Sequence, residues 1–352
     1  MSMNEPQKTL KIEENVPLAP LTTFKIGGAA RFFVRAETEE QVTDAFNFAE
    51  EHGFDLFVLG GGSNVLVADE GFDGLVLQIA LKGITVKENL VTARAGEDWD
   101  EFAAFCVERN LAGVECLSGI PGSVGGTPVQ NVGAYGQEVS ETITDVRVFD
   151  RKSKEILQLS SADCKFAYRT SIFNSTDKNR FIVLAVTYAL TPDGAPKIVY
   201  KDLREFFGDR RPSLLETRDA VREIRAGKAM LVRQGGADAN SAGSFFKNPI
   251  VENEKFEHIA ATARSFGVES VPCFKADERS VKIPAAWLIE QSGFQKGYLK
   301  GSAGLSTRHT LALTNRGGAT AHEILELKSE IQAKVKEKFG VVLVPEPVFV
   351  GF

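Results

Sequence analysis

Apolar and polar residues follow two clear periods in the N-terminal part of the chain. The run RFFVRA (31–36) is typical of a β-strand. Thr38 and Gln41 then have the spacing of a capping box, which predicts the start of a helix with Val42, Ala45, Phe46 and Ala49 on its buried face. A second strand, DLFVLG (55–60), follows. The pattern therefore predicts a β-α-β unit that ends at a run of glycines.

The same periods predict further elements along the chain. A strand is expected at VTYAL (186–190) and a helix at 216–231. Another helix is expected at 98–110, with Trp99, Phe102, Ala103 and Cys106 on one face. The strongest helix pattern runs over 319–339, with a capping box at Thr320 and Glu323, an apolar face, and Gly340 as its stop. The chain thus mixes helices and strands.

Composition narrows the class of protein. The chain has 352 residues, 43% of them hydrophobic, which suits two or three domains. Its 41 basic and 47 acidic residues give a net charge of -6 without a dense basic run, so we expect no nucleic-acid partner. No apolar run approaches the ~20 residues that a membrane helix needs, and the N-terminal residues are polar where a secretory signal is apolar. We expect no membrane partner and a cytoplasmic location.

Four cysteines are present, at positions 106, 116, 164 and 273. They form no C-x-x-C pair, so the sequence suggests neither a zinc site nor a redox dithiol. We expect reduced, structural cysteines and no metal.

A first glycine cluster, Gly60-Gly61-Gly62-Ser63-Asn64, follows the second strand. Consecutive backbone N–H groups in such a run can hold a phosphate. The dinucleotide fingerprint needs a third glycine and a following helix, whereas a strand-like segment follows here. The Gly-Lys-Ser/Thr triplet of a Walker loop is absent from the sequence. Both of those common motifs are therefore disfavoured.

A second cluster, LSGIPGSVGGTPVQNVGAYGQEV (117–139), holds six glycines among few charges. So many glycines let the backbone approach another group closely. A tight series of turns between subdomains is one explanation, and a bound, flat, phosphate-bearing ligand is the one we favour.

The stretch GSFFKNP (243–249) places the hydroxyl of Ser244 between a glycine and two aromatic residues. It lacks the G-x-S-x-G pattern of a nucleophilic elbow, and none of the four histidines lies in a recognisable triad arrangement. On local grounds a turn before a strand is the simpler interpretation.

Several longer segments together resemble one enzyme family, UDP-N-acetylenolpyruvoylglucosamine reductase (UDP-N-acetylmuramate dehydrogenase). They occur in the family's order from residue 15 almost to the C-terminus: NVPLAPLTTFKIGGAA, LGGGSNVLV, GVECLSGIPGSVGGTPVQNVGAYGQEV, CKFAYRTSIF, GSFFKNP, AAWLIEQSGFQKG and LVPE. The length of the resemblance makes it far more specific than any single motif.

The resemblance implies an α+β fold. Its FAD-binding part is of the vanillyl-alcohol-oxidase (PCMH) type with two subdomains, here 1–80 and 81–212, followed by an α+β substrate-binding domain, 213–352, whose last residues return to the active site.

The resemblance also implies bound FAD, with NADPH as the hydride donor. Because no histidine lies in either glycine cluster, we expect non-covalent FAD. The positions implied to bind FAD are Gly60, Gly61, Gly62, Ser63, Asn64, Ser118, Gly119, Pro121, Gly122, Ser123, Gly126, Asn131, Gly133 and Ala134.

Three positions match the family's catalytic residues. Ser244 matches the proton donor to the substrate carbanion, a role that needs no triad. Arg169 matches the arginine that holds the substrate carboxylate, for which its planar fork is suited. Glu346 matches a C-terminal glutamate, and we expect it to act as a neutral hydrogen-bond donor, because an ionised carboxylate would repel the developing charge.

Five further positions match substrate contacts. These are Tyr135, Tyr168, Tyr200, Lys228 and Asn248, with Tyr200 and Lys228 expected to reach the diphosphate. The chain departs from the family pattern at Ala229-Met230, in the segment LVRQGGADAN (231–240), in the long link 266–280, at His309-Thr310 and at Pro347. These departures leave open how the serine segment is approached and whether a glutamine contact is replaced.

The expected reaction is therefore reduction of UDP-N-acetylglucosamine enolpyruvate by a monomer. An FAD-dependent oxidase of the same fold acting on an alcohol or sugar is an alternative, as is a nucleotide-sugar binding protein without flavin. Neither alternative explains why Arg169, Ser244 and Glu346 occur together.

Overall fold

The computed structural model describes residues 10–231, 236 and 238–352. Within these ranges there are seven α-helices: α1 (Glu39–His52), α2 (Trp99–Glu108), α3 (Lys201–Phe207), α4 (Leu214–Gly227), α5 (Asn253–Ser265), α6 (Ala285–Gln291) and α7 (Ala321–Phe339). The N-terminal residues 1–9 lie outside the described residues. So do residues 232–235 and 237, which belong to the segment 231–240 that departs from the family pattern.

The strands of the described ranges are mostly short. In chain order they are β1 (Ile12–Pro17), β2 (Ala29–Ala36), β3 (Asp55–Leu59), β4 (Val65–Val67), β5 (Phe72–Ile79), β6 (Ile84–Lys87), β7 (Leu90–Arg94), β8 (Leu111–Ala112), β9 (Gly133–Ala134), β10 (Gln137–Glu138), β11 (Ile143–Asp150), β12 (Glu155–Ser160), β13 (Phe181–Ala189), β14 (Thr191–Pro192), β15 (Ile250–Glu252), β16 (Phe274–Lys275), β17 (Ser280–Lys282), β18 (Leu299–Lys300), β19 (Ala303–Leu305), β20 (Leu313–Asn315) and β21 (Val348–Val350).

The chain divides into two compact units that are each built from separate segments. The first unit comprises residues 10–17, Ala29–Gly62 and Gly71–Leu231. The second comprises Leu18–Gly28, Ser63–Glu70 and the described residues that follow Leu231. Helix α4 therefore groups with the first unit, and the division between the units falls inside the first glycine cluster. The three-domain division expected from the sequence stays a prediction.

The first unit contains two sheets over one continuous core. The smaller sheet has the order β1-β2-β5-β3, in which β2 and β3 run parallel to β5 between them. The larger sheet is antiparallel, with the order β12-β11-β13-β7-β6. Helices α1 and α2 bury the apolar faces that the sequence predicts, and their side chains belong to the same buried cluster as those of both sheets.

Helix α1 begins where the sequence predicts, with a difference in its cap. The Thr38 hydroxyl accepts the Gln41 N–H at 3.2 Å. The side chain of Gln41 accepts the N–H of Glu37 at 2.8 Å, one residue earlier than in a capping box. The helix ends at Gly53, whose φ of 68° is a left-handed conformation that glycine adopts without strain.

The second unit packs three helices against small sheets. Strands β15-β17-β16 and β18-β19-β20 form two antiparallel sheets, and β21 pairs in parallel with β4. Helix α7 has the predicted capping box between Thr320 and Glu323 and ends at Gly340. Its face of Ile324, Leu327, Ile331 and Val335 is completely buried in the core of this unit.

Two predicted elements differ in length. Strand β13 begins at Phe181, five residues before the predicted start at Val186, because the apolar run FIVLA is also buried in the sheet. Helix α4 ends at Gly227, before the predicted end at 231, because Ala229 adopts a left-handed conformation with φ of 53°. No helix among the described residues is both long and apolar enough to cross a membrane.

Candidate functional site

The two glycine clusters lie against each other in the first unit. A methyl group on Gly61 would come within 2.6 Å of the Cα of Gly122, and one on Gly60 within 2.8 Å of the Ser123 hydroxyl oxygen. A side chain at position 61 would clash with backbone, so this position accepts only glycine at this spacing, whereas a side chain at position 60 would require the Ser123 hydroxyl to move. The structure thus brings together two sets of predicted cofactor residues that are far apart in the sequence.

The second cluster is fastened to the connection between β7 and α2. The N–H of Gly125 donates to the carbonyl of Ala95 at 2.9 Å, and the N–H of Trp99 donates to the carbonyl of Gly122 at 3.1 Å. A methyl group on Gly125 would lie 2.6 Å from the Ala95 Cβ. The glycines here allow backbone to pack on backbone, which fixes the path of the loop.

Gly119, at the start of this cluster, is held through both of its backbone polar groups. Its N–H donates to the Asp100 carboxylate at 2.6 Å, and its carbonyl accepts from Arg225 Nε at 3.0 Å. Asp100 also forms ion pairs with Arg218, at 2.6 Å, and with Arg222. Burial raises the pKa of Asp100, but the hydrogen bonds from Arg218 and the Gly119 N–H outweigh it and hold the pKa below its ordinary value.

This arrangement leaves the loop electropositive. The guanidinium groups of Arg218 and Arg222 contact the one carboxylate of Asp100, and that of Arg225 lies on the Gly119 carbonyl, so three cations share one anion. Arg225 is only 8% exposed, and it donates to the carbonyl oxygens of Gly119 and Met230, at 3.0 and 2.8 Å. A buried cation beside close-packed glycine backbone suits an anionic group such as the pyrophosphate of FAD. The residues present therefore fit that cofactor.

Two predicted cofactor residues use their side chains within the protein. The Ser118 hydroxyl donates to the carbonyl of Glu115 at 2.8 Å. The amide of Asn131 donates to Glu138 at 2.8 Å and to the carbonyl of Ala167 at 3.0 Å, and its oxygen accepts the N–H of Ser140 at 3.1 Å. These bonds fix the loop, and a contact of either residue with FAD stays a prediction.

The side chain of Arg169 contacts the second glycine cluster. It has a left-handed backbone with φ of 53°, and its guanidinium donates to the carbonyls of Asn131, at 3.4 Å, and Gly133. The guanidinium carbon also lies 5.3 Å from the ring centroid of Tyr168. Asn131 and Tyr135 share the left-handed conformation, with φ of 46° and 50°. Such conformations are unfavourable for non-glycine residues and tend to gather at functional sites.

Tyr135, Tyr200 and Lys228 are brought together in the first unit. The two tyrosine rings meet edge to face with centroids 5.5 Å apart, and Lys228 Nζ lies 5.9 Å from the Tyr135 centroid. Lys228 is also ion-paired with Asp202, at the start of α3. Burial raises the pKa of the Tyr135 hydroxyl, against the opposing charges of Arg225 and Lys228. These predicted substrate residues thus form one cluster of aromatic and charged side chains.

In the second unit, Ser244 and Glu346 lie on neighbouring segments. Phe246 and Pro345 form an antiparallel bridge, and the N–H of Glu346 donates to the carbonyl of Phe245 at 2.9 Å. Phe245 and Phe246 are buried and anchor this pairing in the core. The structure therefore places the segments that carry two predicted catalytic residues next to each other, a pairing that their separation in the sequence does not reveal.

Asn64 and Gly243 complete the local geometry of this pair. The Asn64 amide donates to the carbonyl of Glu346 at 3.2 Å, and the carbonyl of Asn64 accepts the N–H of Val348 at 2.9 Å. Gly243 has a left-handed φ of 71°, and a methyl group there would meet open space. The turn before Ser244 requires glycine for its conformation and not for lack of room.

The remaining predicted residues of the second unit have structural contacts. The carbonyl of Ser63 accepts from the Thr23 hydroxyl at 3.3 Å. The Asn248 oxygen accepts the N–H of Ala285 at 2.8 Å, at the start of α6. His309 accepts the Leu311 N–H through Nδ1 at 3.0 Å, and Leu311 in turn accepts the Phe245 N–H at 2.8 Å. His309, at a position where the chain departs from the family pattern, thus supports the segment that carries Ser244.

Sequence reasoning missed Asp100, Asp202 and the arginines of α4. Arg218, Arg222 and Arg225 are four and three residues apart, so one helix face carries all three cations, and that signal was present in the sequence. The partner carboxylate is far away along the chain, and no local pattern indicates it. No group of three or more potential metal ligands occurs among the residues that the structure describes.

Comparison with known proteins matches the N-terminal and C-terminal parts of the chain to two different family models. Residues 235–350 match the model of the UDP-N-acetylenolpyruvoylglucosamine reductase C-terminal domain, and residues 30–160 match an FAD binding domain. The UDP-N-acetylenolpyruvoylglucosamine reductase of Streptomyces coelicolor is 47% identical, over 99% of this chain and 94% of that protein. The Thermobifida fusca protein of the same name is 46% identical over 97% and 99% of the two chains. The structure of the Thermus caldophilus reductase superposes with a TM-score of 0.67 at 25% identity, covering 97% of this chain and 99% of that one. The predicted α+β fold, with an FAD-binding part and a C-terminal family domain, is confirmed.

Proposed function

The chain belongs to the UDP-N-acetylenolpyruvoylglucosamine reductase family, and we propose that it reduces UDP-N-acetylglucosamine enolpyruvate to UDP-N-acetylmuramate with hydride from NADPH. It is an FAD-containing oxidoreductase. The observation that supports the specific reaction is the backbone pairing of the Ser244 segment with the Glu346 segment, which brings two predicted catalytic residues onto neighbouring stretches of chain. The product is a precursor of peptidoglycan.

The proposed chemistry assigns one task to each catalytic residue. The flavin, when bound, supplies the hydride to the terminal carbon of the enolpyruvyl group. Negative charge then develops at the neighbouring carbon and in the carboxylate, where the Arg169 guanidinium offers two parallel donors. The Ser244 hydroxyl donates its proton to that carbon, which completes the reduction. Glu346, as a neutral acid, donates a hydrogen bond that stabilises the charge before the proton arrives.

The proposed cofactor contacts are those of the two glycine clusters. The segments Gly60–Gly62 and 118–134 would face the pyrophosphate, because they pack closely and the buried guanidinium of Arg225 lies against Gly119. We propose non-covalent FAD, since neither cluster contains a histidine. Asn64, whose side-chain amide donates to the carbonyl of Glu346, stays a further proposed contact.

The proposed substrate contacts are Tyr135, Tyr168, Tyr200, Lys228 and Asn248. Tyr135, Tyr200 and Lys228 form one cluster, which supports a shared task at the nucleotide. Tyr168 stacks beside Arg169, so it would line the carboxylate end of the substrate. We retain the three-domain division, the cytoplasmic location and the monomeric state as proposals.

An anaerobic flavin titration tests the function directly. NADPH is expected to bleach the visible flavin band, and UDP-N-acetylglucosamine enolpyruvate is expected to restore it without oxygen. If only oxygen restores the band, the reductase proposal fails and an oxidase becomes the better explanation.

The Ser244→Ala variant separates the two half-reactions. Bleaching by NADPH should proceed as in the wild type, because no proton to the substrate is needed there. Restoration of the band by substrate should slow by a factor of about 100 or more, the usual size of a lost proton transfer. Normal restoration in this variant would remove Ser244 from the mechanism while leaving the overall reaction intact.

A further inference from the structure

Lys228 has an internal carboxylate partner that the proposed reaction does not use. Its Nζ is ion-paired with Asp202, and the two side chains are 36% and 28% exposed. Both groups are therefore reachable from solvent, and a dissolved anion can approach the lysine. The pair lies beside the aromatic rings of Tyr135 and Tyr200.

The backbone presets the positions of both charges. Asp202 is in the first turn of α3, two residues after Tyr200, which is the N-cap residue of that helix. Lys228 is the C-cap residue of α4, and the left-handed Ala229 ends the helix directly after it. The aromatic and the acidic residue thus come from one helix start, and the cation comes from one helix end.

The charge balance of the cluster changes when the pair opens. With the ion pair closed, the lysine charge is compensated within the protein. A ligand that carries several negative charges can replace the carboxylate as the partner of Lys228, at the cost of separating Asp202 from it. That cost lowers the affinity for the anion, because part of its attraction to Lys228 only replaces an existing interaction.

We propose that Asp202 is an internal counter-ion that the diphosphate of the nucleotide displaces from Lys228, so that this carboxylate limits nucleotide affinity. The inference rests on the proposed function, which assigns Lys228 to the diphosphate. It makes Asp202 a specificity-determining residue: its opposition to binding depends on the negative charge of the ligand. It also favours release of a product that carries the same diphosphate as the substrate.

A purely structural ion pair between α3 and α4 is the competing explanation. Such a pair would stabilise the contact of the two helices, and its removal would lower the melting temperature without raising the affinity for any nucleotide. The two explanations therefore differ in sign for binding.

The test compares three ligands on the FAD-loaded Asp202→Asn variant. Binding of UDP, UMP and uridine is measured by isothermal titration calorimetry. The affinity for UDP should rise about threefold or more, the affinity for UMP should rise less, and that for uridine should stay unchanged because uridine carries no phosphate.

Glu205→Gln is a matched control. It removes one negative charge from the same helix, where Glu205 is 3.6 Å from Lys201 and not paired with Lys228. Its UDP affinity should equal that of the wild type. An equal gain in both variants would show a general effect of net charge and would overturn the proposal.

Two other outcomes also decide the question. Unchanged or weaker UDP binding by Asp202→Asn overturns the inference, and the anaerobic flavin titration then shows independently whether the reductase function stands. Lys228→Gln should weaken UDP binding. If it does not, Lys228 is not the diphosphate contact and the inference fails, whereas a flavin band that the enolpyruvyl substrate still restores would leave the proposed reaction valid.

Discussion

At the scale of single residues, three of the predicted site residues have left-handed backbone conformations. These are Asn131, Tyr135 and Arg169; the conformation costs Tyr135 and Arg169 of order 1 kcal/mol or more in isolation, whereas asparagine adopts it more readily. The hydrogen bonds of Asn131 and Arg169 to nearby backbone offset that cost and fix the direction of each side chain. Neither composition nor periodicity indicates such conformations, so the identities of these residues were predictable only from resemblance, and their geometry was not.

Glu346 provides the first prediction at this scale. If it donates a hydrogen bond as a neutral acid, Glu346→Gln keeps a donor of similar shape and should retain turnover within about threefold, while Glu346→Ala should lose a factor of about 100. The rate of flavin reoxidation by the enolpyruvyl substrate measures both effects. Reduction by NADPH serves as the internal control and should be unchanged. An inactive glutamine variant would contradict the neutral-donor role.

At the scale of elements, local signals predicted helix starts better than helix ends and strand pairing. The capping box of α7 and the apolar face of α1 were predicted and confirmed. The predicted end of α4 was wrong, because Ala229 adopts the left-handed conformation that glycine usually adopts after a helix. The pairing of β4 with β21 joins segments from opposite ends of the chain, which no local pattern can reveal.

Asp100 of α2 and the arginines of α4 hold Gly119 in place, and we call this set of contacts the clamp. The clamp gives a prediction for cofactor binding. Asp100→Ala removes the acceptor of the Gly119 N–H and leaves two arginines without their carboxylate. A charged hydrogen bond contributes about 1.5–3 kcal/mol, so FAD should dissociate at least about tenfold more readily. The quenching of FAD fluorescence on binding to the apoprotein measures this affinity.

Two variants distinguish positioning of the loop from a general loss of structure. Asp100→Asn keeps an oxygen that can accept the Gly119 N–H and should recover part of the affinity. Glu101→Gln changes an exposed residue in the same helix turn and should bind FAD as the wild type does. Wild-type FAD affinity in Asp100→Ala would show that the clamp plays no part in cofactor binding.

At the scale of the whole molecule, stability depends on links between elements that are distant in the sequence. Each unit is assembled from separate segments, so its core closes only after long-range pairing. In the first unit, Glu39 at the start of α1 accepts two hydrogen bonds from Arg147, at 3.1 and 2.9 Å, and is also ion-paired with Arg94. One carboxylate therefore joins α1 to two strands of the larger sheet.

This link makes stability depend on pH. The hydrogen bonds from Arg147, followed by those from Arg94, hold the pKa of Glu39 below its ordinary value despite its partial burial. A carboxyl group with a lowered pKa in the folded state contributes stability above its unfolded pKa of about 4.3, and that contribution is lost as the pH falls through the folded pKa.

Glu39→Gln should therefore lower the melting temperature at pH 7 by about 2–4 °C, and the difference from the wild type should shrink as the pH falls below about 4. Calorimetric melting curves across this range measure it, with Glu40→Gln, an exposed neighbour in the same turn, as the control. A difference that stays constant with pH would mean that the glutamate stabilises the fold by packing and not by its charge.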